Sequence, residues 1–181
     1  MNIYNSLLAD FEQKLGKGVT TGDQLDKVGR AVFGSEWGGV FARDGEWRRR
    51  KGYKIVNLDR KNQSGSHWVG VVGDMVYDSF GRTGILGPEL QDTENDAEQR
   101  KQEDNCGQRC LAWLGTYKLC GPRIAWTILK NFFIIKIYYL LACNYCTDFR
   151  LPLWWDTNFF SSLWTYVINP ASFASHTWSG C

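Results

Sequence analysis

Only two histidines occur in the 181 residues, and one of them stands where an imidazole can work as a base. His67 follows the polar run KNQSGS and opens the apolar stretch WVGVV, so a strand would hold its ring while the preceding loop keeps it accessible. Asp78 closes the next apolar stretch, in VYDSFG. An aspartate beside an imidazole accepts its N–H and fixes the tautomer; a turn-forming Asp before Ser79 is the plainer alternative. Cys106 opens an amphipathic run, NCGQRCLAWL, directly after EDN. A thiol at a helix N-terminus meets unpaired N–H groups and the positive end of the helix dipole, which favour the thiolate. With a neighbouring imidazole it becomes an ion-pair nucleophile. Gly107 leaves room for a substrate carbonyl to approach, and Cys110, one turn on, reads as buried core. Nucleophile, base and orienting acid together point to covalent hydrolysis. The competing account is a metal, because Cys143 and Cys146 have C-x-x-C spacing and Cys106 with Cys110 offers a second pair. The distance between the pairs and the lack of a nearby histidine argue against zinc, so no metal and no cofactor is expected.

The elements that must carry these residues follow from periodicity. Apolar residues at 7, 8, 11 and 15 predict a helix over Asn5–Leu15. Thr21 with Gln24 is a capping-box pair, and Leu25, Val28, Ala31, Val32 and Phe33 mark an apolar helical face that Gly34 ends. Tyr53–Leu58 reads as a strand, and Trp68–Val72 and Met75–Tyr77 as two strands joined at Gly73-Asp74. Antiparallel pairing there would bring His67 beside Asp78. Gly38-Gly39 reads as a permissive turn, residues 87–104 as a polar loop with at most a short helix, and Cys106–Tyr117 as a helix. Helices, a few strands, a loop and a helix in that order predict an α+β fold, with a small central sheet flanked by helices and the nucleophile at a helix N-terminus.

Composition changes near residue 130. From Asn131 to Cys181 only Lys136, Asp148, Arg150 and Asp156 are charged, while 14 of the 27 aromatics fall there. The chain is therefore divided into a domain over 1–130 and an aromatic-rich hydrophobic extension over 131–181. Lys130 and Lys136 interrupt the apolar segment 124–143, and lysine near mid-membrane costs roughly 2.5–3.5 kcal/mol, so no clear membrane span is expected. A net charge of +2 demands no acidic partner. Six cysteines confined to the second half are not a disulfide framework, and the first residues lack the pattern of a signal peptide. A reducing compartment, not secretion, is expected.

The strings GSHWVG, YDSFG and NCGQRC, in that order and spacing, resemble the adenovirus-type (adenain-like) cysteine protease family; GVFARD and KIVNLD upstream also look like it. The resemblance covers roughly residues 22–128 and has no counterpart for the extension. It implies an adenain-like fold and a viral cysteine endopeptidase that cuts structural precursor polypeptides during virion maturation, beside small residues such as Gly-Gly. It places the protein in the virion or in the host nucleus or cytoplasm. It implies His67, Asp78 and Cys106 as the triad and a glutamine amide as oxyanion donor. Gln99 has the family's seven-residue offset from Cys106, with Gln102 as the alternative. DNA activates adenovirus enzymes, so Arg48, Arg49, Arg50 and Lys51 are a possible nucleic-acid contact; a solvated basic loop is the plainer reading. Two rival functions remain open: a SUMO- or ubiquitin-type isopeptidase using the same residue set, and a non-catalytic virion binding or structural module.

Overall fold

Thr21 starts the first well-defined boundary of the structure, a computed structural model that describes residues 3–93 and 98–127. Its hydroxyl accepts the Gln24 N–H at 3.2 Å, and the Gln24 side chain accepts the Thr21 N–H at 2.9 Å. This capping box satisfies two N–H groups that a helix start leaves orphaned. The helix it opens, α2 (Gly22–Phe33), follows α1 (Ile3–Leu15) and ends at Gly34, where a φ of 58° suits glycine. Leu25, Gly29 and Phe33 form its buried side, whereas Ala31, expected on the apolar face, is exposed. A Cβ at Gly29 would run into the Trp37 ring, so this glycine lets the helix lie close to the sheet.

Among the described residues the fold is α+β, with three α-helices and a mixed five-stranded sheet. The strands are β1 (Trp37–Ala42), β2 (Tyr53–Asn57), β3 (Trp68–Val72), β4 (Met75–Tyr77) and β5 (Gln91–Asp92), in that spatial order. β1 runs parallel to β2, β2 to β4 are antiparallel, and β5 runs parallel to β4. Gly38-Gly39 therefore lies inside a strand rather than in a turn, and the register of β1 on β2 shifts between Trp37 and Gly39. At Gly38 a Cβ would meet Lys51 and Lys54, so the glycine answers a close approach of β1 to its neighbour. β5 crosses the stretch expected as loop, adding two residues to the sheet edge.

Alternation sends the two sheet faces to different cores. On one face Val56, Val69, Val71 and Val76 pack with Trp47 and Leu86. Full burial of such a side chain is worth about 1.5–3 kcal/mol. On the other, α3 (Cys106–Thr127) crosses β3 where Gly70 faces Trp113, and Tyr77 stacks on Trp113 at 5.4 Å. α3 outruns the expected Cys106–Tyr117 helix. It breaks only at Gly121 (φ 79°), before Pro122, and the Trp113 indole N–H donates to the Ala125 carbonyl across the break. No helix among the described residues is long and apolar enough to cross a membrane. The extension 131–181, with His176, Cys143, Cys146 and most of the apolar segment 124–143, lies outside the described residues.

Candidate active site

The β3–β4 hairpin sets the first half of the site. Its register pairs Gly70 with Tyr77, Val71 with Val76 and Val72 with Met75 across the Gly73-Asp74 turn. His67, just before β3, and Asp78, just after β4, then meet at the open end of the hairpin. The Nε2 of His67 lies 2.6 Å from Oδ1 of Asp78. Both are buried, with 5% and 2% of their surface exposed. The Phe80 N–H donates to the same carboxylate oxygen at 3.0 Å, and the Arg82 Nε–H donates to Oδ2 at 2.7 Å. Phe80 also stacks on the imidazole at 4.7 Å. His67, Phe80 and Arg82 thus hold the carboxylate from both oxygens, and the ring is pinned from its edge and its face.

Charge follows geometry here. Burial pushes the Asp78 carboxyl up, but the hydrogen bonds from His67, Arg82 and the Phe80 N–H outweigh it and hold the pKa at about 2. Burial likewise pushes His67 down, yet the hydrogen bond to Asp78 and the neighbouring Cys106 sulfur raise it above the ordinary imidazole value. Because Asp78 occupies Nε2, Nδ1 is the nitrogen left for the thiol. Cys106 is the first residue of α3, where backbone N–H groups have no intrahelical acceptor.

Cys110, one turn on, is fully buried and donates to the Trp68 carbonyl at 3.3 Å. Burial pushes its thiol well above the ordinary range, so it stays a protonated, packed side chain. Gly107 was expected to clear space for substrate. Instead a Cβ there would run into the Thr20 hydroxyl and Leu25, so it is packing inside the protein that requires glycine.

Gln99 reaches the same region from the loop before α3. Its N–H donates to the Ser79 carbonyl at 3.0 Å, its Oε1 accepts the Ser79 hydroxyl at 2.6 Å, and its Nε2 donates to the Glu103 carbonyl. A cleft of about 700 Å³ is lined by His67, Trp68, Phe80, Gln99 and Cys106, with the Thr20–Asp23 segment and the 59–66 loop as its walls. Gln102 is exposed and does not line it. The loop beyond Gln99 is anchored by Arg109, whose guanidinium donates to Glu103 at 3.0 Å and to the Asn105 side chain at 2.8 Å.

The basic run lies elsewhere. Arg48 pairs with Glu89 at 2.8 Å and donates to the Leu86 carbonyl, and Arg49 pairs with Glu46 at 3.3 Å. Arg50 and Lys51 are exposed. None of the four lines the cleft. Ser79, Phe80 and Arg82 carry no expectation from the sequence, although the first two stand inside YDSFG. Arg82, four residues after Asp78, could have been found only by knowing that the chain turns back at Gly81, whose N–H donates to the Asp78 carbonyl at 2.9 Å. No family model, curated protein or solved structure matches the chain.

Proposed function

We propose that the protein is a cysteine endopeptidase of the adenovirus type, acting on viral precursor polypeptides. The observation that carries the reading is the 2.6 Å His67–Asp78 bond, buried in one cleft with a cysteine at the first turn of a helix. In the proposed reaction His67 Nδ1 takes the thiol proton, and Cys106 Sγ attacks the scissile carbonyl carbon. The oxyanion is held by the Cys106 N–H and the Gln99 amide, donors worth roughly 2.7–4 kcal/mol each in such sites. His67 passes the proton to the leaving amine as the C–N bond breaks, giving a thioester. His67 then deprotonates water, which attacks the thioester and releases the carboxylate and the thiol. Asp78 keeps Nε2 protonated throughout, so that Nδ1 alone exchanges the proton.

The test is cleavage of a precursor peptide containing Gly-Gly. Wild type cuts it and Cys106→Ala, with an unchanged melting temperature, does not; retained turnover in that variant sinks the assignment. Rapid labelling of Cys106 by a ubiquitin or SUMO probe with a C-terminal electrophile would reassign the substrate to an isopeptide.

A further inference from the structure

Ser79 is fully buried and makes two bonds to one residue of a different segment: its carbonyl accepts the Gln99 N–H, and its hydroxyl lies 2.6 Å from Gln99 Oε1. The other end of the Gln99 amide faces the Glu103 carbonyl. A carbonyl can only accept, so the atom facing it is the amide nitrogen, and the atom facing Ser79 is the oxygen. A hydroxyl that touches an amide oxygen donates to it. A glutamine amide has nearly the same shape either way round, and hydrogen-bond partners alone decide which end points where. Nε2 carries two hydrogens, of which Glu103 takes one, so the other remains for the cleft that Gln99 shares with Cys106.

We propose that Ser79 is a positioning residue that sets the orientation of the Gln99 amide, so that the dipeptide Asp78-Ser79 holds both the base and the oxyanion donor. The inference rests on the peptidase reading and deepens it. Asp78 turns toward His67 while Ser79, the next residue, turns toward Gln99. One peptide segment at the end of β4 therefore ties the proton-transfer half of the site to the oxyanion half. Without the hydroxyl, Oε1 is buried with no donor, and the amide gains by shifting toward one, since turning over would set Oε1 against the Glu103 carbonyl. Such a shift carries Nε2 away from the developing oxyanion.

The test compares Ser79→Ala, Gln99→Ala and the double variant by three readouts: peptide cleavage, alkylation of Cys106 by iodoacetamide, and the Gln99 side-chain amide signals in 15N NMR. Ser79→Ala should lower kcat about 10- to 100-fold, the scale of a donor misplaced by about 1 Å, with KM unchanged. Alkylation forms no oxyanion and should keep its rate. The double variant should be no slower than Gln99→Ala, and the Gln99 amide signals should shift or broaden in Ser79→Ala. Ser79→Thr, which keeps the hydroxyl, should retain activity. Ser79→Val, of the same shape without it, should not, and this pair replaces Ser79→Ala if that variant fails to fold. Additive losses in the double variant, or alkylation falling in step with turnover, overturn the proposal. A wild-type chain that cleaves no peptide overturns the peptidase reading instead. The clamp is then judged by the amide signals, and falls if Ser79→Ala leaves them unchanged.

Discussion

The two sides of the cleft are held in place by different means. The hairpin side, residues 67–82, inherits its geometry from a backbone ladder, in which three register pairs place His67 and Asp78 before any side chain is considered. The loop side, residues 98–105, has no ladder. Gln99 hangs from Ser79 and Glu103, and the loop end hangs from the buried Arg109. Backbone ladders are cooperative and survive loss of one side chain, whereas a loop held by a few side-chain bonds gives way one bond at a time. In the proposed reaction the His67–Asp78 pair that moves the proton therefore sits on the rigid side, and Gln99, which needs only to donate one hydrogen bond, sits on the adjustable one.

The largest effect that would break this comparison comes from the hairpin. Asp78→Ala removes the acceptor of Nε2 and leaves Arg82 without its partner, and kcat/KM should fall about 10³- to 10⁴-fold. Cys106 alkylation should slow with it, because the imidazole that takes the thiol proton is no longer oriented. Gln99→Ala should cost about 10²- to 10³-fold in kcat, the usual scale for one oxyanion donor, with alkylation preserved. Paired kinetics of turnover and alkylation separate the two sides. Equal loss of alkylation in both variants would mean that the sides are not independent.

The same contrast explains what could be read from the sequence. Ladder and cap patterns are local. The Thr21/Gln24 box, the Gly34 stop and the Trp68–Tyr77 hairpin appear as the sequence predicts, and with them the meeting of His67 and Asp78. β1 is hidden in the sequence because its Gly38-Gly39 looks like a turn and becomes a strand only by pairing with β2. The reasons for Gly29 and Gly107, Trp37 and Thr20, lie elsewhere in the chain and leave no local signal. Ser79 escaped for the same cause: its partner Gln99 is twenty residues away, across a loop with no periodicity. Gln99 is favoured over Gln102 by the family offset and by the tighter loop that Gln102 would need, and neither signal points to its partners Ser79 and Glu103.

A smaller effect tests the hairpin through stability. The Asp78 carboxyl is held at about 2 against an ordinary 3.8, so ionised Asp78 favours the folded state by about 2 kcal/mol above pH 4. For a lowered carboxylate pKa that contribution is lost as pH falls through the folded value. His67 has the opposite sign: its raised pKa contributes fully below the ordinary imidazole value and fades as pH rises through the raised one. Asp78→Asn should therefore be less stable than wild type at pH 5, by thermal unfolding, with the gap closing between about pH 4 and pH 2. A constant gap would show that the carboxylate charge is not what stabilises the hairpin end.

The smallest effect sharpens the loop side. Gln102 is exposed, four residues before Cys106, and outside the cleft that Gln99 lines. An exposed polar side chain away from caps and cavities changes stability by no more than about 0.5 kcal/mol on substitution. Gln102→Ala should leave both melting temperature and kcat at wild-type values. Gln99→Ala, three residues earlier, should lose turnover. The pair isolates position within one loop, since residue type and substitution are the same. If Gln102→Ala instead costs as much as Gln99→Ala, the loop presents its other glutamine during turnover. The Ser79 and Glu103 bonds would then describe a resting arrangement that gives way when substrate binds.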